Sequence, residues 1–289
     1  MKIFFPFNTK VTVFLEGADP MPELPEMETY RRLLTEQLAG RTIAGVEINR
    51  EKSININNGQ FQSQLLNTQI TEIQRRAKHL IFKLSSGKNL LLHLMLGGWM
   101  YIGNEEDSPD RTKQVILAFG EKKLYFIGLR LGYLYLLTDT ELEKELADLG
   151  PEPMDQTFSF PVFRELIGSR RGMLKTTFVN QQFLSGIGNC YSDEICFEAG
   201  LLPMKKADEL DEDEIKILYQ SLKSVLTRAI QFGGYMEEPL FRGDTKTGGY
   251  NEQCRVYDRE GEACLRCSSP IVKEEISSRK TFYCRNCQK

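Results

Sequence analysis

The sequence predicts a multidomain α+β protein with an N-terminal helix, an antiparallel β domain, a helical domain and a C-terminal zinc-binding hairpin. Three observations support this prediction. Short alternating apolar runs fill residues 42–137, helical periodicity replaces them from residue 160 onward, and the chain ends in two Cys-x-x-Cys pairs. A chain of 289 residues is long enough for two or three small domains with separate cores.

The composition is that of a globular protein. Hydrophobic residues make up 41% of the chain and charged residues 27%, with a net charge of −3. This charge argues only weakly against a polyanion-binding protein, because nucleic-acid binding needs a basic face rather than a basic total. Seven cysteines, four of them in two close pairs, favour metal binding in a reducing compartment over disulfides.

The segment Met21-Pro22-Glu23-Leu24-Pro25-Glu26 is the first candidate site. If translation started at Met21 and this methionine were removed, Pro22 would have a free secondary amine beside the Glu23 carboxylate. An α-amine with a pKa near 8 is partly unprotonated at neutral pH and can form a Schiff base with an electrophilic carbon. The alternative is a plain loop before a helix, where proline and acidic residues are common.

Residues 1–20 precede this segment and would leave the Pro22 nitrogen as an unreactive amide. Their apolar runs are interrupted by Pro6 and end at Glu16, so they match neither a secretory signal nor a membrane span. We expect residues 1–20 to be an extension that is absent from the native protein.

The predicted elements follow the apolar periodicity along the chain. Residues 28–38 form an amphipathic helix that ends at Gly40. The runs that follow predict strands of an antiparallel sandwich or barrel-like domain at residues 43–48, 70–73, 80–84, 90–94, 115–119 and 124–126. Helices are then predicted to begin at residue 163 and to span residues 174–183, 192–199 and 212–232, after a linker rich in proline and glycine.

The strongest chemical signal is the C-terminal cysteine pattern. Cys264 and Cys267 are separated by sixteen residues from Cys284 and Cys287. Two such knuckles place four thiolates around a zinc ion, in a hairpin too small to have its own core. A four-thiolate site has no open position, so the predicted zinc is structural; the alternative is a redox dithiol.

A glycine-rich turn forms the second candidate site. In Ser185-Gly186-Ile187-Gly188-Asn189, two glycines permit tight turns before a helix, and backbone N–H groups at a helix start suit a phosphate. Asn189 and the upstream Lys175 strengthen this hypothesis. A plain helical hairpin is an equally good interpretation of the turn alone.

Lys78 is the third candidate. It follows Arg75 and Arg76 and opens a predicted strand, where a lysine can bind a phosphate, although such charge runs usually form a solvated face. The chain contains only two histidines, His79 and His93. A histidine-dependent catalytic triad is therefore not expected.

These motifs together resemble the formamidopyrimidine-DNA glycosylase and endonuclease VIII family. The resemblance covers residues 21–289 and rests on motifs that occur in the family's order: Pro-Glu-Leu-Pro-Glu, Arg-Ala-Lys, Leu-Gly-Pro-Glu-Pro, Gly-Ile-Gly-Asn with Tyr-x-Asp-Glu, and four terminal cysteines. It implies a β-sandwich catalytic domain at 21–147, a linker at 148–158, a helix–two-turn–helix DNA-binding domain at 159–250 and a zinc finger at 251–289.

The resemblance also implies a function. The family excises oxidised bases from double-stranded DNA as a bifunctional glycosylase and AP lyase, with β- and then δ-elimination. It implies that Pro22 is the nucleophile, Glu23 the proton donor, and Lys78 and Arg279 the groups that assist elimination and bind phosphate. Lys175 and Asn189 would hold the DNA backbone, and the four finger cysteines would bind one zinc ion. We expect a monomer in the bacterial cytoplasm or nucleoid, without membrane association, that binds DNA with a damaged base or an abasic site.

Two departures from the family pattern concern lesion choice. The family's His-Leu-Gly-Met-Ser-Gly is His93-Leu94-Met95-Leu96-Gly97-Gly98 here, so the residue that fills the void of a flipped base is Met95, Leu96 or neither. In the wedge loop, Arg130 matches the family's arginine but the phenylalanine is missing. The alternative to an enzyme is a non-catalytic, zinc-containing DNA-binding protein of the same fold.

Overall fold

A helix, α1 (Leu24–Leu38), opens residues 21–289, the part of the chain that the computed structural model describes. It begins four residues earlier than the apolar periodicity predicts, because Pro25 fits the first turn of a helix and Glu26 caps its start. Its buried apolar residues Met27, Tyr30, Leu34 and Leu38 recur every three or four positions and face one core. The expectation for residues 1–20 lies outside the described residues.

Two four-stranded antiparallel sheets follow α1 and confirm the predicted sandwich. The strands are β1 (Gly45–Ile48), β2 (Ile70–Arg76), β3 (His79–Leu84), β4 (Asn89–His93), β5 (Trp99–Gly103), β6 (Lys113–Phe119), β7 (Lys122–Ile127) and β8 (Tyr133–Leu137). One sheet has the order β2-β3-β4-β8 and the other β1-β6-β7-β5. Two short helices, α2 (Asn58–Leu65) and α3 (Asp139–Leu146), were not predicted.

The core of the sandwich lies between the two sheets and α1. Buried side chains of alternate strand positions, such as Leu80, Phe82 and Leu90, meet the apolar face of the helix there. Leu240 is completely buried in the same core although it comes from the stretch after the last long helix. Its carbonyl accepts a hydrogen bond from Ile102 N–H at 2.6 Å, at the edge strand β5. The loop around Leu240 is therefore fastened to the sandwich.

The helical region has a second core. Its helices are α4 (Phe160–Gly168), α5 (Leu174–Phe178), α6 (Asn189–Ala199) and α7 (Glu212–Gln231). Helix α5 is shorter than predicted, because the chain turns at Asn180 and leads into the glycine-rich segment. Among the described residues, no helix is both long and apolar enough to cross a membrane.

The C-terminal hairpin consists of β9 (Val272–Ile276) and β10 (Arg279–Tyr283), paired antiparallel. Its small apolar cluster joins Val256, Ile271 and Phe282 to Phe197 of α6. The finger therefore packs on the helix whose N-terminus forms the site described below.

Candidate active site

The carboxylate of Glu23 lies at the N-terminus of α6. Gly188 N–H donates to Oε2 at 2.5 Å and Cys190 N–H donates to Oε1 at 2.9 Å. Unpaired N–H groups at a helix start, together with the helix dipole, stabilise a negative charge there. Burial nevertheless raises the pKa of Glu23 above its ordinary value, against the opposing effect of the nearby Lys78 ammonium group. A raised pKa suits a carboxyl group that donates a proton near neutral pH.

The glycine-rich turn fits around α1. A Cβ at Gly186, which has a φ of +94°, would approach the Leu24 side chain to 2.8 Å, and a Cβ at Gly188 would lie 2.6 Å from the Glu23 carboxyl group. Leu24 N–H also donates to Gly186 O at 2.9 Å. The prediction that this turn cradles a phosphate is therefore wrong for these N–H groups, because they bind the protein's own Glu23.

Lys78 lies on the two-residue turn between β2 and β3, where Arg76 pairs with His79. Its side chain is buried, and a Cβ at Gly188 would lie 2.7 Å from its Nζ. The Glu23 carboxyl group and the Lys78 Nζ atom therefore both lie against Gly188. Burial lowers the pKa of Lys78 and the nearby Arg279 lowers it further, whereas Glu23 and Glu26 raise it. The structure brings Lys78 and Glu23 together, and the charge of Arg279 acts on Lys78.

Glu26 is a buried acidic group that the sequence interpretation overlooked. Its Oε1 accepts from Tyr191 O–H at 2.5 Å and from Tyr235 N–H at 2.7 Å, and its Oε2 accepts from Glu23 N–H at 2.8 Å. Burial raises its pKa to about 7, helped by the charge of Glu23. Glu23 and Glu26 have the spacing of a capping box. This spacing is the sequence feature from which a structural role of Glu26 could have been predicted.

Lys175 does not reach the surface, so its predicted contact with a DNA phosphate is wrong. The residue is 0% exposed, and Nζ donates to Asn189 O at 2.9 Å, Ser192 Oγ at 3.0 Å and Asp193 Oδ1 at 2.6 Å. The other Asp193 oxygen accepts from Phe282 N–H of β10 at 2.9 Å. Lys175 and Asp193 therefore join the start of α6 to the finger hairpin.

Asn189 and Arg279 lie at the edges of this arrangement. Asn189 is the first residue of α6. The Oδ1 atom of its side chain is buried and has no hydrogen-bond partner among the described residues. Arg279 is exposed and directly follows the turn between β9 and β10. The next acidic residue after Asp193, Glu194, accepts hydrogen bonds from three consecutive N–H groups that lead into the finger, those of Arg255, Val256 and Tyr257.

Two neighbouring loops expose apolar side chains. They span residues 94–98 and 128–132 and touch through backbone, since a Cβ at Gly128 would lie 1.9 Å from Gly97 O. Leu96 is 40% exposed and Leu131 is 59% exposed, beside the exposed Arg130. The two leucines therefore stand on adjoining loops with their side chains open to solvent.

The four finger cysteines form the predicted metal site. Their Sγ atoms all lie within 4.8 Å of one another; Cys267 and Cys284 are 3.5 Å apart, and Cys264 and Cys287 are 3.8 Å apart. Tetrahedral thiolates with Zn–S bonds of about 2.3 Å have S···S separations of about 3.8 Å. The donor set and its spacing therefore fit zinc. The remaining cysteines, Cys190, Cys196 and Cys254, are buried as expected.

Comparisons with known proteins agree with this architecture. The formamidopyrimidine-DNA glycosylase N-terminal domain model matches residues 21–133, the H2TH domain model of the same enzymes matches 149–239, and a zinc finger found in FPG and IleRS matches 261–289. With this finger and its four thiolates, the protein binds one structural zinc ion.

Relatives and solved structures resemble the chain over nearly its full length. Formamidopyrimidine-DNA glycosylase of Rickettsia africae is 35% identical over 93% of this chain and 99% of its own, and that of Carboxydothermus hydrogenoformans is 31% identical over 93% and 100%. The structure of a Lactococcus lactis FPG mutant with Fapy-dG-containing DNA superimposes with a TM-score of 0.86 at 28% identity, covering 93% of this chain and 100% of that one. The chain belongs to the formamidopyrimidine-DNA glycosylase and endonuclease VIII family.

Proposed function

We propose that this protein is a bifunctional DNA glycosylase and AP lyase that excises oxidised bases and cleaves the DNA strand, in base-excision repair. The observation that supports this most is the meeting of Glu23 and Lys78 beside Pro22, at the N-terminus of α6. Similar proteins have been solved with DNA that contains Fapy-dG or an abasic site. The bacterial relatives favour the bacterial cytoplasm or nucleoid as its location.

The nucleophile in this proposal is the amine of Pro22, in a chain that begins at this residue. Met21 lies between Tyr235 and Lys78: Tyr235 O–H donates to Met21 O at 3.2 Å, and Lys78 Nζ is 3.9 Å from Met21 Sδ. Removal of Met21 would free the amine and leave room for a sugar beside Lys78. The amine would then attack C1′ of the damaged nucleotide, the bond from C1′ to the base nitrogen would break, and the base would leave with a proton.

Glu23 and Lys78 would move the protons of this sequence. The raised pKa of Glu23 keeps a proton available for the sugar oxygen as the ring opens. The lowered pKa of Lys78 makes its ammonium group easier to deprotonate, and the resulting amine can accept the sugar's C2′ proton during β-elimination. Arg279 would bind phosphate oxygens next to the lesion and assist δ-elimination.

The DNA would be held by groups on both sides of this centre. Asn189 is the first residue of α6, and its Nδ2–H groups can donate to a phosphate oxygen of the DNA backbone. Arg130, with Leu96 and Leu131 on the adjoining loops, is placed to enter the base stack where a nucleotide is flipped. In this role Leu131 would replace the phenylalanine that the wedge loop lacks.

Borohydride trapping tests the proposal. A protein that starts at Pro22 should form a covalent adduct with duplex DNA containing an oxidised base or an abasic site, whereas a protein with a blocked Pro22 nitrogen should not. Glu23→Gln should lower base removal about a hundredfold or more while DNA binding remains, as expected for loss of a general acid. Binding without any adduct would instead identify a non-catalytic, zinc-containing DNA-binding protein.

A further inference from the structure

The turn that presents Lys78 is held in an unfavourable backbone conformation. Ala77, its first central residue, has a φ of +54°, the sign pattern of a type II′ hairpin turn. Glycine is preferred at this position, because a Cβ makes a positive φ unfavourable. Neighbouring groups must therefore stabilise the turn.

Glu152, in the linker after the sandwich, supplies this stabilisation. Its Oε1 accepts the Ala77 N–H, and its side chain is only 14% exposed. Arg75 Nη1 donates to Glu152 Oε2 at 2.8 Å and to Ala77 O at 3.1 Å, and Arg76 Nη1 donates to Glu152 Oε1 at 3.1 Å. One carboxylate thus binds the backbone of the turn and both arginines that precede it.

The same cluster reaches the opposite side of the site. Arg76 Nη2 donates to Leu149 O at 2.9 Å and to Gly150 O at 2.6 Å, and its Nη1 donates to Ser185 Oγ at 2.6 Å. Ser185 precedes Gly186, whose carbonyl accepts from Leu24 N–H of α1. The segment of Ser185 and Gly186 therefore contacts both sides of the site: Arg76, which precedes the Lys78 turn, and Leu24 of α1, which follows Glu23.

We propose that Glu152 is a positioning residue for Lys78: its carboxylate fixes the Ala77-Lys78 turn so that the lysine ammonium group stays against Glu23 and the sugar. The inference rests on the proposed lyase function. Glu152 touches no reacting atom, and the two arginines it binds serve the turn and the linker rather than DNA phosphates. Displacement of a reacting group by about 1 Å costs about a hundredfold in rate, so loss of this support should affect the chemical step.

Three variants of the full protein starting at Pro22 separate this role from general stability. Glu152→Ala removes both the charge and the acceptor for Ala77 N–H. Glu152→Gln keeps one acceptor oxygen. Glu28→Gln is the matched control, because Glu28 Oε2 binds the same Arg75, at 3.2 Å from Nε, but does not contact the turn. Each variant is assayed for single-turnover cleavage of a duplex with an abasic site and for affinity to a duplex with a tetrahydrofuran analogue.

We expect Glu152→Ala to lower the cleavage rate about tenfold to a hundredfold with less than about a threefold change in affinity. Glu152→Gln should recover most of the rate, and Glu28→Gln should cleave like the wild type. If Glu152→Ala does not fold, Glu152→Asp decides, because its shorter side chain keeps the charge but withdraws the acceptor from Ala77 N–H. A rate and turn exchange in Glu152→Asp that both equal those of the wild type overturn the positioning role. An equal loss of affinity and rate would also overturn it, because it would indicate docking of the lobes instead.

Hydrogen exchange of a peptide covering residues 74–82 provides a readout that does not depend on activity. Exchange at Ala77 and Lys78 should rise in Glu152→Ala and stay unchanged in Glu28→Gln. Unchanged exchange in Glu152→Ala would refute the inference even if the rate fell. A wild-type protein that neither cleaves nor traps any lesion duplex would refute the proposed function, and faster exchange in the variant would still identify Glu152 as the support of the turn.

Discussion

The β2–β3 turn and the β9–β10 turn each place one cation, Lys78 in the first and Arg279 in the second. Both turns have two central residues, and both use left-handed conformations without glycine: Ala77 at +54°, Ser277 at +49° and Ser278 at +59°. The first turn is bound at its tip by Glu152 and ends in a buried lysine. The second turn is exposed.

The finger hairpin is held at its base rather than at its tip. Asp193 of α6 accepts the Phe282 N–H, and the cysteines that hold zinc flank the two strands. The difference follows from solvation. A buried ammonium group must stay close to its carboxylate partners, because desolvation is otherwise uncompensated, whereas an exposed guanidinium group keeps its water until DNA arrives. Lys78 is therefore served by a turn that Glu152 holds in place, and Arg279 by a folded hairpin whose turn is exposed to solvent.

Loss of zinc should have the largest effect, and it should affect the finger turn but not the β2–β3 turn. Cys267→Ser should abolish zinc binding and unfold the finger, because a hairpin with so small a core does not fold without its metal. Arg279 would then lose its position while Lys78 kept its own. We expect zinc content to fall from one to none and strand cleavage to drop about a hundredfold or more, with DNA affinity lost in parallel.

Hydrogen exchange of residues 74–82 and the helical content should stay at wild-type values in this variant. Chelation of the wild type should give the same result, and zinc should reverse it. A zinc-free protein that bound and cleaved lesion duplex normally would separate the finger, and Arg279 with it, from the active apparatus.

Single substitutions of the two cations should give different kinds of loss. Lys78→Met should lower strand cleavage about a hundredfold or more with little change in salt dependence, as expected for a buried acid–base group. Arg279→Met should mainly weaken binding and reduce the slope of log affinity against log salt by about one unit, the value for one phosphate contact. The measurements are single-turnover cleavage and a salt titration of tetrahydrofuran duplex binding. Identical profiles for the two variants would contradict the division between the turns.

The buried group around Lys78 should make the free energy of unfolding depend on pH, through Glu26, whose charge acts on Lys78. Its pKa is about 7 in the folded protein and about 4.5 in the unfolded chain. Between these values the folded state binds the extra proton, so the free energy of unfolding falls as pH rises from 4.5 to 7, by up to about 3 kcal/mol. Glu26→Gln should lose this decline.

Urea denaturation of both proteins at pH 4.5, 6 and 8 measures the effect. The difference between wild type and Glu26→Gln should shift in favour of the variant as pH rises. A difference that is constant with pH would show that Glu26 titrates with an ordinary pKa.

The sequence identified local patterns well and long-range partners poorly. The four-cysteine motif, the sandwich strands and the adjacency of Pro22 and Glu23 all depend on spacing within short segments. Whether a cation faces DNA depends instead on partners outside its own segment, 18 positions from Lys175 and 77 positions from Arg75. Lys175 is buried against Asp193, and Arg75 is bound by Glu152, 77 positions away. Charge alone could not distinguish these internal partners from phosphates.

The same limit applies to anion sites. The N–H groups of Gly188 and Cys190 have the geometry expected for a phosphate, yet they bind Glu23, which is 165 positions from Gly188. A helix N-terminus accepts any anion that the fold brings to it. The glycine motif therefore predicted an anion site but could not show that the anion is a side chain of α1.

The smallest expected effect concerns the turn residues themselves. Ser278→Gly should remove about 1–2 kcal/mol of left-handed strain, less about 0.4–1 kcal/mol for the added freedom of the unfolded chain, and so stabilise the finger by about 1 kcal/mol. Ala77→Gly should stabilise the sandwich by a similar amount, and cleavage should persist because Glu152 still binds the residue 77 N–H. The rate of zinc release to a chelator reports the first change, and urea denaturation of the sandwich reports the second. If Ser278→Gly released zinc faster than the wild type, the finger turn would not be strained in solution, and the two turns would differ in conformation as well as in support.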